Sequence, residues 1–150
     1  MISFEDMANS KPLGIDDESG FAFVKEVLKG DPTFAINFDR LQKHPVRGYI
    51  IFELLLCDES QSVNPISSHP NRYWHKNAQK FIALDRVKID LNATLYLVNY
   101  AKIGTKHEDK VLVIKVLSVD NEKGIVEEQK KVFNRSDFSK WFRELNAECS

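Results

Sequence analysis

The chain has 150 residues, 43% hydrophobic and 29% charged, with ten Phe, four Tyr and two Trp, which is the sequence of about one folded domain and is too aromatic for a disordered chain. Its formal net charge of -1 argues against the strongly basic footprint of a constitutive nucleic-acid binder. The longest apolar run, Tyr49 to Cys57, is strand-sized and broken by Glu53, so no membrane span is expected.

The N-terminal stretch MISFEDMANS is acidic and lacks the basic region and apolar block of a secretory signal, and Cys57 and Cys149 form no disulfide framework. These features predict free thiols and a reducing, cytoplasmic setting. Residues 1–18 mix Gly, Pro, Ser and acids without apolar periodicity and read as an N-terminal arm, with residues 19–150 forming a single α/β domain. Ser19 is a candidate cap for a helix whose Phe21, Val24 and Leu28 would face a sheet; Gly30 and Pro32 end it. Phe34, Ile36 and Phe38 alternate with polar or small residues, predicting a strand with Asp39 near its end, and the polar stretch 40–47 then reads as a turn. Gly48 leads into YIIFELLLC, apolar on both faces and therefore the expected central strand. After a polar loop at 58–70, residues 71–91 predict the longest helix, capped by Asn71 or Ser68, with Phe81, Leu84, Val87 and Leu91 facing the core. Thr94 to Ala101 is a strand, so strand, helix and strand form a parallel crossover. Val111 to Val119 and Ile125 to Phe133 predict a hairpin, and Ser136 is the expected cap of a last helix. The expected fold is therefore α/β, with a mixed sheet of about five strands flanked by helices.

Glu53 is the most informative residue, because an ionised carboxylate inside an apolar strand costs several kcal/mol unless a cation compensates it. That cation is either a metal, with Glu53 as ligand or base, or a Lys or Arg in a structural ion pair. Asp39 lies fourteen residues earlier, where antiparallel pairing would bring the two acids together, a pair that suits Mg²⁺ with waters and a substrate phosphate. Residues 66–106 carry seven Lys/Arg against two Asp/Glu, a local charge of about +5. Within that island, SSHPNRYWHKNAQKF places Arg72, His75, Lys76 and Lys80 beside Tyr73 and Trp74. This pattern suits phosphate or base contacts, or alternatively an aromatic core anchor with a solvated cationic face. The basic segment is accordingly the expected contact for a nucleic acid or an acidic protein. His44, His69, His75 and His107 lack zinc spacing, and no Gly-rich phosphate loop occurs, so neither zinc nor a nucleotide cofactor is expected. A thiol nucleophile at Cys57 with His69 or His75 is the weakest of the chemical readings.

An acid, a short connection, a second acid within an apolar strand, then a helix and a parallel strand resembles the core of the PD-(D/E)xK nuclease superfamily, the restriction-endonuclease fold. The resemblance spans roughly residues 20–101 and is topological. It implies a Mg²⁺-dependent phosphodiesterase acting on nucleic acid, with Asp39 and Glu53 holding metal and a lysine positioning water. Glu18 or Glu26 would echo a further acid of that family. The triplet Glu53-Leu54-Leu55 has leucine where the family has lysine, and no proline precedes Asp39. The resemblance then implies a lysine supplied from the next helix, Lys76 or Lys80. Without one the domain would be an inactive relative, and a non-enzymatic interaction or regulatory module is the alternative.

Overall fold

Alternation along the apolar runs decides the architecture. In the central strands, successive side chains point to opposite faces, and here both faces are apolar. In the computed structural model, which describes residues 18–149, the chain divides into two compact units, Met1–Asn37 and Phe38–Ser150. Apart from Glu18, the expected N-terminal arm lies outside the described residues.

The first unit contains helix α1 (Ser19–Leu28), which ends at a left-handed Lys29 followed by Gly30. None of its residues is buried, and Phe21, Phe23, Val24 and Val27 are exposed. Glu18, not Ser19, occupies the cap position.

The second unit holds strands β1 (Arg40–His44), β2 (Gly48–Leu56), β3 (Thr94–Tyr100), β4 (Val111–Asp120) and β5 (Gly124–Phe133), with helices α2 (Trp74–Asp90) and α3 (Arg135–Glu148). They form one mixed sheet in the order β1-β2-β3-β4-β5; β2 and β3 are parallel and the other neighbours antiparallel. Ile51, Leu95, Leu97, Leu112, Ile114 and Ile125 pack with Trp74, Phe81, Ile82 and Leu84 of α2. The alternate residues Ile50, Phe52, Tyr96, Val98, Val111, Val113 and Phe133 pack with Leu145, Phe138, Trp141 and Phe142 of α3. Each sheet face thus has its own helix.

Two sequence expectations are corrected. Residues 34–38 form no strand, and the strand lies instead at Arg40–His44, within the expected turn. Period-two alternation marks extended backbone, whereas a strand also needs a partner. Arg40–His44 finds one in β2, from Arg40↔Phe52 to His44↔Gly48, and its polar, short sequence suits a sheet edge. His44 closes the turn: its Nδ1 accepts from the N–H groups of Val46 (3.1 Å) and Arg47 (2.9 Å), and its Nε2 meets Glu148 Oε2 at 2.9 Å. The helix caps also differ. A 3-10 turn (Pro70–Tyr73), capped by His69, leads into α2, and Asn134 caps α3 by accepting from Asp137 N–H.

Asn71 fastens this turn to the β4–β5 hairpin. Its side chain accepts from Ile125 N–H and donates to Ile125 O, both at 2.8 Å, while Trp74 Nε1 donates to Asn121 O at 2.9 Å. Gly124 has φ +97° and lies so close to Asn71 Oδ1 that an added Cβ would clash. Gly124→Ala therefore combines backbone strain with loss of the Asn71 bridge and should cost about 2–4 kcal/mol in denaturant unfolding. In an Asn71→Ala background the same change should cost less, about 1–2 kcal/mol, because only backbone strain and the close Trp74 contact at 3.2 Å remain. Equal costs in both backgrounds would show that the two residues are uncoupled.

Candidate functional site

Glu53 sits in β2 between Ile51 and Leu55 on the face covered by α2, with 6% of its surface exposed. Lys80, projecting from α2, places its Nζ 2.8 Å from Glu53 Oε1, while Glu53 Oε2 is buried with no hydrogen-bond partner. Burial raises the Glu53 pKa above its ordinary 4.5; the hydrogen bond and charge of Lys80 and the backbone N–H of Asp39 oppose that rise, and the negative charge of Asp39 adds to it. Asp39 precedes β1 directly. Just before the ladder that starts at Arg40↔Phe52, Asp39 lies close enough to Glu53 for its charge to act on that carboxyl. Its N–H donates to Phe52 O at 3.2 Å, and its Oδ2 accepts from Leu54 N–H at 2.7 Å, which fixes the carboxylate beside β2.

The structure therefore brings together Asp39, Glu53 and Lys80. Lys76 is not with them; its Nζ lies 5.5 Å from the centre of the Tyr73 ring, where the Arg72 guanidinium also sits, at 5.8 Å. Tyr73 is half exposed, and Arg72 and His75 are exposed. Trp74 is committed to the core, stacked on Phe81 at 5.9 Å between ring centres. The segment thus divides, with one aromatic buried and the other held at the surface between cations.

Two carboxylates can share a divalent cation with a phosphate while a lysine meets the phosphate alone, but they are a sparse set. Among the described residues, no group of three or more His, Cys, Asp or Glu side chains could hold a metal ion. The unpartnered Glu53 oxygen beside Asp39 fits Mg²⁺, which takes one or two carboxylates and completes its shell with water and substrate oxygens.

Cys57 follows β2, and burial raises its thiol pKa. His69 cannot activate it: Nδ1 accepts from Asn71 N–H at 3.0 Å and Nε2 meets Glu128 Oε2 at 2.7 Å, so both ring nitrogens are engaged. Both cysteines are free thiols. Among the described residues no helix is long and apolar enough to cross a membrane.

The sequence reading missed Asn99, a fully buried residue of β3 whose side chain donates to Pro65 O (3.2 Å) and Ser68 O (2.7 Å) and so ties the 57–69 loop to the sheet. The signal was available, because a polar residue inside TLYLVNY poses the same question as Glu53. The chain matches no family model, no curated protein and no solved structure.

The raised Glu53 pKa fixes a pH dependence. The folded chain holds this proton more tightly than the unfolded chain does. The stability so contributed is fully present below about pH 4.5 and is lost as pH rises through the folded pKa. Lys80→Met removes the compensating ammonium, which is itself 43% exposed. The variant should lose about 1–2 kcal/mol at pH 7, less than a fully buried pair would, and little below pH 4.5, where Glu53 is neutral. Unfolding measured at both pH values checks this; an equal loss at both would mean that Lys80 acts through packing alone.

Proposed function

We propose that the Phe38–Ser150 unit is a divalent-cation-dependent phosphodiesterase domain acting on nucleic acid, similar in plan to the PD-(D/E)xK nucleases. The observation that carries this reading is the unpartnered, buried Oε2 of Glu53 beside Asp39, with Lys80 already on the other oxygen. In this reading Lys80 of α2 takes the part that Leu55 cannot fill.

Asp39 and Glu53 would hold Mg²⁺, which when bound supplies Lewis-acid polarisation of the scissile phosphate. The residues of the chain do the rest. Leu54 N–H holds the Asp39 carboxylate in place. Glu53 is held in its strand with its carboxylate buried against Lys80, so receiving a cation would require the Lys80 ammonium to move aside. Lys80 reaches the site from a partly exposed position, so its ammonium can move from Glu53 to a phosphate oxygen or an attacking water. Arg72 and Lys76, held against Tyr73, provide positive charge for neighbouring phosphates.

A second reading is favoured by one observation. Lys80 already neutralises Glu53, as a structural ion pair would, and in a non-enzymatic interaction module nothing more is required. The two readings separate on metal dependence. Calorimetric titration with Mn²⁺ should show weak binding that Glu53→Gln and Asp39→Asn abolish. Mn²⁺-dependent cleavage of an oligonucleotide should fall about a hundredfold in Lys80→Met. Heats unchanged in Glu53→Gln would remove Glu53 from any metal role and leave the interaction module.

A further inference from the structure

The C-terminal ends of β2 and β3 open into a crevice of about 390 Å³, bounded by the 57–69 loop and the start of α2. Crevices at the carboxyl ends of parallel strands are where open α/β sheets bind ligands, and this volume lies at the lower end of the range for small-molecule sites. Its lining combines two chemistries. Leu55, Phe81 and the half-exposed ring of Tyr73 supply apolar and aromatic surface. The side chains of Gln61, Ser62 and Asn77 make no hydrogen bond to any described residue, which leaves their donors and acceptors available. An aromatic surface beside uncommitted amides suits a flat heterocycle with hydrogen-bonding edges.

The crevice adjoins the acid pair. Leu55 follows Glu53 by two residues on the same sheet face, a separation of about 7 Å, and Asn77 lies three residues before Lys80 on α2. We propose that this crevice receives an unpaired nucleobase of the strand whose phosphate lies at Asp39, Glu53 and Lys80. The substrate class is then single-stranded or locally opened nucleic acid, and this assignment rests on the phosphodiesterase reading above. Bases stacked in an intact duplex cannot enter such a site without being extruded. Arg72 and Lys76 beside Tyr73 are placed to meet the phosphates flanking the inserted base.

Fluorescence anisotropy with a short single-stranded DNA, the RNA of the same sequence and the corresponding DNA duplex tests this, with Ca²⁺ replacing Mn²⁺ to suppress turnover. Single strands should bind at least about tenfold more tightly than the duplex, and Tyr73→Ala and Asn77→Ala should each weaken single-strand binding by about tenfold. Mn²⁺ heats should be unchanged in both variants, which shows that they remain folded. RNA bound like DNA, or more weakly, fits the assignment, with the difference reporting contacts to the sugar. Equal affinity for duplex and single strand, or wild-type binding by both variants, would overturn it. If Mn²⁺ binding still depends on Glu53, only the crevice assignment falls; if Mn²⁺ does not bind at all, the phosphodiesterase reading falls with it.

Discussion

A carboxylate held out of water between a β-sheet and a helix constrains this molecule more than any other feature. Desolvation raises the Glu53 pKa, and the Lys80 ammonium and the Asp39 backbone N–H oppose that rise. Because Lys80 belongs to α2 and Glu53 to β2, the ion pair also ties the crossover helix to the strand it follows. Asp39 makes the balance more difficult by adding a second negative charge near the first. Two acids and one lysine at one end of a strand pair form a poor stabilising device, since an apolar residue at position 53 would pack there at lower cost.

The two faces of the sheet differ in kind. Toward α3 lies an aromatic cluster in which Phe52, Tyr96, Phe133, Phe138, Trp141 and Phe142 meet at ring separations of 5.2–6.2 Å. It is bound in by Arg40, whose guanidinium lies over Phe142 and donates to Asn146. Toward α2 the core is aliphatic at its centre and polar at its edges, with Glu53, Asn99 and the crevice on the same side as the crossover helix. One face is therefore rich in aromatic rings, and the other carries the buried polar groups Glu53 and Asn99.

Much of this was legible in the sequence because the central strands and α2 are long, periodic and apolar. Glu53 stood out by contrast with its neighbours, but a turn at 40–47 would have set Asp39 beside Gly48, and the register that brings it near Glu53 comes from the edge strand Arg40–His44. The edge strand was illegible, since Arg40–His44 pairs on one side only and its side chains answer to solvent as much as to a core. Phe34 and Ile36 produced the opposite error, an alternating pattern without a partner strand. Lys76 and Lys80, four residues apart, share one face of α2, so the choice between them turns on position along the helix axis relative to Glu53, which spacing within the helix does not encode. Asn71 and His69 act through backbone groups far along the chain, which local spacing does not encode.

The most direct test of the acid pair is anomalous diffraction from crystals soaked in Mn²⁺. The account predicts a peak bonded to Glu53 Oε2 and an Asp39 carboxylate oxygen, with the Lys80 ammonium moved aside. A saturating soak that leaves these carboxylates without metal, or places the ion elsewhere on the surface, would contradict it.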